Sequence, residues 1–98
     1  VEGADEMAEE ALVALVGSWP GESIYDGPER MAQPDEVWNF RRGDGLEKAL
    51  LVANILRSRG GGDMCLNLTD SEVRLLAGNR EVCAFSTGKR PRDRVWEL

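Results

Sequence analysis

The fold is decided by residues 41–60, which read RRGDGLEKALLVANILRSRG. The middle of this stretch is apolar on most sides, and a helix with that pattern is usually buried in a protein core. Asp44 has the side chain of a good N-cap residue, and Glu47 follows at the position of a capping-box partner. The stretch therefore predicts a buried central helix, with Leu50 and Leu56 in the core.

The loop that leads into this helix is the candidate ligand-binding segment. Its glycines allow close approach of the backbone to a neighbour, and the free N–H groups at a helix start can hold an anion. Its two arginines add guanidinium groups, which bind carboxylates and phosphates. The residues of this candidate site are Arg41, Arg42, Gly43, Asp44 and Gly45. The alternative is a tight entry turn whose arginines pair with the acidic N-terminal part of the chain.

The chain before this loop predicts one helix and a long connection. Residues 5–16 have apolar side chains at helical spacing and predict an N-terminal helix. Residues 17–36 are rich in glycine and proline and predict a long ordered loop. A short helical turn is expected from Pro34, and it should bring Trp38 and Phe40 over the central helix.

The chain after the central helix predicts strands, because the apolar spacing changes to every second residue. These strands are expected at residues 64–68, 72–77, 80–85 and 94–98, with a hairpin turn at Gly78-Asn79. The predicted hairpin register pairs Leu76 with Glu81, Leu75 with Val82, Arg74 with Cys83 and Val73 with Ala84. The basic tract 89–94 is interpreted as a solvated turn.

These elements predict the α+β class: an N-terminal helix, a long loop, a buried central helix and then an antiparallel sheet of three or four strands. A chain of 98 residues is expected to form a single small domain, residues 1–98. Because it begins at Val1 and ends in a predicted strand, we expect it to be part of a larger protein or assembly.

The charge is unevenly distributed along the chain. Residues 1–36 carry ten acidic side chains and one basic side chain, whereas residues 37–98 carry eleven basic and eight acidic ones. The formal net charge of −6 disfavours nucleic acid as a partner. The apolar runs are too short for a membrane span, so we expect no membrane partner and a cytoplasmic location.

The residue types present exclude several chemistries. The chain has two cysteines, Cys65 and Cys83, and no histidine. A Ser-His-Asp or Cys-His mechanism therefore has no base within this chain. Four zinc ligands of the usual kind are also missing, so we expect no metal site and no cofactor.

Residues 41–51 resemble the nucleophile helix of transglutaminase-like domains, which typically reads Gly-Asp-Cys, an acidic position and then Ala-Leu-Leu. The matching residues here are Gly43-Asp44-Gly45, Glu47 and Ala49-Leu50-Leu51. The resemblance implies a helix followed by antiparallel strands, which in that family supply a histidine and an aspartate. The chain departs from the pattern because Gly45 stands at the cysteine position and no histidine is present. The resemblance thus implies a relative that lacks catalytic residues.

Two functions are compatible with these features. The first is a non-catalytic binding or structural module, possessing a degenerate transglutaminase-like helix, that contacts a protein partner or the remainder of a larger polypeptide. The second is a part of a larger enzyme, in which loop 41–45 contributes anion contacts to a site completed by another domain or chain. A loop that is sealed inside the protein would favour the first function.

Overall fold

The computed structural model describes residues 7–22, 32–60, 62–69, 71–89 and 94–98. The described part contains three helices and four strands in chain order. The helices are α1 (Glu9–Ser18), α2 (Pro34–Phe40) and α3 (Gly45–Ser58), and the strands are β1 (Met64–Leu68), β2 (Glu72–Ala77), β3 (Arg80–Ser86) and β4 (Val95–Glu97). The strands form one antiparallel sheet in the order β3-β2-β1-β4. The predicted α+β class is confirmed.

Helix α3 is the centre of the core, as its sequence predicts. It packs against β2 and β3 on one side and against α1 and α2 on the other. Its end follows the expected chemistry, since Gly60 has a φ of +82°, a conformation that glycine adopts with little strain. Within the helix, Leu46, Leu51 and Val52 are completely buried, whereas Leu50 is only half-buried. The expectation that Leu50 lies in the core therefore needs correction, while Leu56 is buried as expected.

The alternation of apolar residues on β1 and β2 sets which face of the sheet contacts the helices. Leu66 on β1 and Val73 and Leu75 on β2 are completely buried, whereas Cys65 and Asn67 are half-buried on the opposite face. Because side chains of a strand alternate between faces, this pattern places one apolar face under α3 and leaves the other face without a helix among the described residues.

The predicted hairpin register is correct at the turn and wrong beyond it. Leu76 pairs with Glu81 as predicted, but a β-bulge follows, so Leu75 pairs with Cys83 and Val73 pairs with Phe85. The same shift pairs Arg74 with Ala84 instead of Cys83. The extra residue of a bulge moves the following side chains to the other face of the strand. Here the bulge turns Cys83 and Phe85 toward the core. The predicted register, which has no bulge, would have placed Ala84 there instead.

Helix α1 begins and ends later than the sequence predicts. Its first turn starts at Glu9, and residues 5 and 6 lie outside the described residues. The helix continues through Gly17, where the sequence predicts its end. A Cβ atom at Gly17 would lie 3.3 Å from the Phe85 ring, so the absent side chain lets α1 approach β3 closely.

The predicted turn at Pro34 is confirmed as helix α2, with Pro34 at its first position. Trp38 packs against the core as expected. Phe40 does not cover the central helix, because 60% of its surface is exposed. No helix among the described residues has the length and apolar character needed to cross a membrane.

Two adjacent leucines of α3 give a test of this packing. We predict that Leu51→Ala lowers the free energy of unfolding by about 2–5 kcal/mol, because it leaves a cavity in the core. Leu50→Ala removes the same atoms from a half-buried position and should have a clearly smaller effect. Urea denaturation of both variants measures the difference. Equal losses would contradict the orientation of α3.

Candidate functional site: a buried polar cluster at the start of the central helix

Five polar side chains are buried where α3 begins and where the chain leaves β3. We call them the buried polar cluster, and they are Asp44, Glu47, Lys48, Thr87 and Lys89. Asp44 and Lys89 are more than 40 positions apart in the sequence, so the cluster exists only once the sheet has formed. Buried polar groups are costly unless they are hydrogen-bonded, and the bonds made by this cluster determine what chemistry it can perform.

Asp44 caps α3 and also holds the end of β3. Its Oδ2 atom accepts a hydrogen bond of 2.9 Å from the Leu46 N–H, the bond expected of an N-cap residue. The same oxygen accepts a bond from the Thr87 hydroxyl, and Oδ1 accepts a bond of 2.6 Å from the Gly88 N–H. The carboxylate thus accepts three hydrogen bonds from donors of this chain and connects the helix to the sheet.

Glu47 forms the second connection. Its Oε1 atom accepts a 2.8 Å bond from the Asp44 N–H, which completes the predicted capping box. Its Oε2 atom accepts a 2.5 Å bond from the Ala32 N–H, in the chain just before α2. Although only 1% of its surface is exposed, the carboxylate therefore has backbone donors on both oxygens. It fixes the first turn of α3 relative to the entry of α2.

Lys48 is the buried cation of the cluster. Its Nζ atom donates a 2.6 Å hydrogen bond to the Trp19 carbonyl and lies 6.0 Å from the centroid of the Phe85 ring. Burial lowers the pKa of this ammonium group, and the nearby Asp44 carboxylate partly opposes the change. Because the pKa in the folded protein is lower than in the unfolded chain, the ammonium disfavours folding at neutral pH. This unfavourable contribution is removed as the pH rises through that lowered pKa toward 10.5.

Gly45 occupies the position at which the transglutaminase-like pattern has its cysteine. A Cβ atom at Gly45 would lie 1.9 Å from the Ser86 carbonyl oxygen and 2.9 Å from the Phe85 Cβ. The contact is with the backbone, which cannot rotate away as a side chain would. The last residues of β3 therefore fill the space that any side chain at Gly45 would need.

The loop 41–45 is divided between the interior and the surface. Gly43, Asp44 and Gly45 are buried, and the Gly43 N–H donates to the Pro20 carbonyl at 3.2 Å. Arg42 donates from Nε to the Glu22 carbonyl at 3.1 Å, and its terminal nitrogen lies 3.3 Å from the Glu22 carboxylate. This ion pair matches the alternative in which the arginines bind the acidic N-terminal part of the chain.

Arg41 lies outside this network. It ends α2 with a left-handed backbone, φ +52° and ψ +44°, which is unusual for a residue other than glycine. Its guanidinium carbon is 5.9 Å from the centroid of the Trp19 ring and 6.0 Å from that of Trp38. The two indoles meet edge to face with centroids 5.7 Å apart. The arginine side chain therefore lies over an aromatic pair formed by the buried Trp19 and the half-buried Trp38.

The two thiols do not add a reactive group to the site. Cys65 and Cys83 are both free, and they lie on opposite faces of the sheet. Burial raises the pKa of Cys83 to about 12, and the carboxylate of Glu81 acts in the same direction, so this thiol is protonated at neutral pH. Among the described residues, no group of three or more acidic or thiol side chains could hold a metal ion.

The sequence identifies Asp44 and Glu47 but not their distant partners. Thr87 and Gly88 follow β3 without any local motif that marks them as ligands of a carboxylate. Nothing in the sequence distinguishes Lys48 from a lysine on the exposed face of a helix. It is buried because Trp19 and Phe85 pack over it in the folded chain. One sequence feature could have indicated these partners. It is the short polar segment directly after a predicted strand, which faces the capped start of the buried helix.

We predict that Asp44→Ala lowers the free energy of unfolding by roughly 2–4 kcal/mol, more than the ~1 kcal/mol of an N-cap alone, because it also removes the acceptor of the buried Thr87 hydroxyl and of the Gly88 N–H. Thr87→Val should have a smaller effect, and Thr87→Ser should be nearly neutral because the hydroxyl is kept. A double-mutant cycle between positions 44 and 87 measures their coupling by urea denaturation. Additive effects would contradict the connection.

Gly45→Ala is predicted to lower the free energy of unfolding by about 3 kcal/mol or more, because the new Cβ collides with the backbone of β3. Gly62→Ala is the matched control, since a Cβ there meets no atom within 4 Å and the backbone is not left-handed. Thermal unfolding of both variants gives the comparison. An unchanged stability in Gly45→Ala would show that the start of α3 has open space.

Comparisons of the chain with models of known protein families, with characterised proteins and with solved structures found no match. The resemblance of residues 41–51 to transglutaminase-like domains therefore stays a prediction made from the sequence. The function is inferred from the side chains and contacts of the site itself.

Proposed function

We propose that this chain is a non-catalytic binding or structural module whose central helix is a degenerate form of the transglutaminase-like nucleophile helix. The observation that supports this most directly is the packing at Gly45. A cysteine at that position would need the space that the Ser86 carbonyl fills. Acyl transfer by cysteine also requires a base beside the thiolate, and the chain has no histidine to provide one.

The alternative, an enzyme part whose loop 41–45 binds an anion, has less support. The N–H groups of Gly43, Asp44 and Leu46 already donate to Pro20, Glu47 and Asp44, respectively. The negative carboxylate of Asp44 itself lies at the helix start, where an external anion would have to bind. These contacts are what a sealed loop of a binding or structural module requires.

The aromatic–arginine patch is the binding surface that we assign to this module. It consists of Arg41 and Trp38 with Trp19 beneath them, and the exposed Phe40 and the half-buried Arg42 are the sequence neighbours of Arg41. Aromatic side chains and arginine are the residue types that are enriched in protein interfaces and among their most energetic contacts. An acidic protein surface, either a separate protein or another domain of the same polypeptide, is the partner that fits this charge.

The backbone of Arg41 gives a separate argument for this patch. A left-handed conformation disfavours a side-chain-bearing residue by roughly 1–2 kcal/mol, and glycine would remove most of this strain. The side chain of Arg41 is therefore retained at a position where glycine would be the simpler choice. Its guanidinium carbon lies 5.9 and 6.0 Å from the two indole centroids, and the N–H groups of a guanidinium in this position can still donate to a carboxylate. We interpret the strain as a sign that the side chain has a function.

A cytoplasmic location belongs to the same proposal. The free thiols of Cys65 and Cys83 support it, because unpaired cysteines are usual in proteins of reducing compartments.

The test uses Arg41→Gly, which relieves the left-handed backbone and should leave the stability nearly unchanged. We predict that it weakens association with acidic partners captured from an extract of the source cells, and more strongly at low salt than at high salt. The double variant Arg41→Ala, Arg42→Ala should weaken it further. Quantitative mass spectrometry of the captured proteins provides the measurement, and Arg59→Ala, at the far end of α3, is the control for charge.

Two results would contradict the proposal. Identical capture by wild type and Arg41→Gly would remove the binding role of the patch. Turnover by the isolated chain of a glutamine-donor peptide with a labelled amine would contradict a non-catalytic module.

A further inference from the structure

Strand β4 has an unpaired outer edge. In its antiparallel pairing with β1, the Leu98 N–H donates to the Met64 carbonyl, and the Leu68 N–H donates to the Arg94 carbonyl. Backbone groups of an antiparallel strand point alternately to its two neighbours. Residues 94, 96 and 98 therefore face β1, and the N–H and C=O groups of Val95 and Glu97 point away from the sheet. No other strand of the described chain lies there, because β4 ends the sheet.

A groove adjoins this edge on the side of the helices. It has a volume of about 350 Å³ and runs between the entry of α2, the face of α3 and the end of β4. Its wall is mostly apolar and includes Leu50, Ala53 and Leu98, while Asn54 and Arg57 bring polar groups to it. No hydrogen bond or ion pair is formed by the Arg57 guanidinium within the described part of the chain.

The opposite edge of the sheet carries a bulge that β4 lacks. Strand β3 carries the β-bulge after Glu81, and Arg80 at its start is paired with Glu9 of α1 at 2.7 Å. Bulges and charged side chains are common devices that prevent an edge strand from pairing with another chain. The pairing of β4 has no bulge, and Val95 on this strand is 62% exposed.

We propose that the outer edge of β4 binds an extended segment of a partner protein, which adds a fifth strand to the sheet. The added strand forms backbone hydrogen bonds with Val95 and Glu97. Its residues on the helix side lie over the groove, where an apolar side chain contacts Leu98 and a carboxylate binds Arg57. Backbone bonds supply the affinity in this mode of recognition, and the side chains in the groove supply the specificity.

The groove favours a partner segment over a second copy of this chain. In β4 the acidic residue, Glu97, pairs with Cys65 and so lies on the face of the sheet away from the helices. Two copies of β4 paired edge to edge would keep this orientation, and neither would present the Glu97 carboxylate to Arg57 of the other. A partner that alternates apolar and acidic side chains on its groove-facing side has the required complementarity.

The probe is a capped, fluorescein-labelled peptide of about seven residues, whose groove-facing positions are valine, glutamate and valine, separated by threonines. A second peptide has lysine in place of the glutamate. Fluorescence anisotropy should show binding of the first peptide at about 1 mM protein or below. The lysine peptide should bind about tenfold more weakly, since one charge-assisted hydrogen bond is lost. Amide exchange at Val95 and Glu97 should slow when the first peptide is bound.

Three variants test the two parts of the proposed site, which are the backbone edge of β4 and the groove beside it. Val95→Pro removes an outward N–H that makes no bond to β1, so the sheet should be kept, and the peptide should bind about tenfold more weakly. Val95→Thr retains the N–H and should bind normally. Arg57→Gln should remove the preference for the glutamate peptide over the lysine peptide.

Circular dichroism checks that each variant is folded. Arg41→Gly should bind the peptide as wild type does, which separates this edge from the aromatic–arginine patch.

Several results would overturn this inference. One is the absence of binding of the glutamate peptide at about 1 mM protein. Another is equal binding of this peptide by Val95→Pro and Val95→Thr. Slow exchange of the Val95 and Glu97 amides that depends on protein concentration without peptide would assign the edge to a second copy instead.

Discussion

The carboxylate of Asp44 joins helix α3 to the sheet. It caps α3, and it also accepts bonds from Thr87 and Gly88, where the chain leaves the edge strand of the sheet. Because these donors come from different layers, one side chain fixes the angle and the distance between helix and sheet. The close contact of Gly45 with Ser86 follows from the same fixed distance.

The buried polar cluster connects the start of α3 to distant parts of the chain. Glu47 connects α3 to the chain before α2, and Lys48 connects it to the carbonyl of Trp19 after α1. The chain after α1, the chain before α2 and the chain after β3 are thus all connected to the start of one helix. The two surfaces that we propose for recognition lie at the periphery, at the aromatic–arginine patch and at the edge of β4. We propose that this non-catalytic module binds its partners at these peripheral surfaces, while the start of α3 is closed by contacts within the chain.

Much of the fold could be predicted from local patterns. The strand positions follow from the alternation of apolar residues, and the start of α3 follows from the capping residues Asp44 and Glu47. The bulge after Glu81 could not be predicted, because an uninterrupted register also gives an apolar face. The division of loop 41–45 into a buried part and an exposed part also depends on contacts with β3 and with Glu22, which are distant in sequence.

Hydrogen bonds within this chain close the start of α3, and amide hydrogen exchange can measure this closure. The Leu46 and Gly88 amides, which both donate to Asp44, are expected to exchange only when the whole domain unfolds. Their opening free energies should therefore equal that of amides in the middle of α3, such as that of the fully buried Val52. Rapid exchange of both amides in the folded protein would contradict the account, because it would show that the helix start is open to solvent.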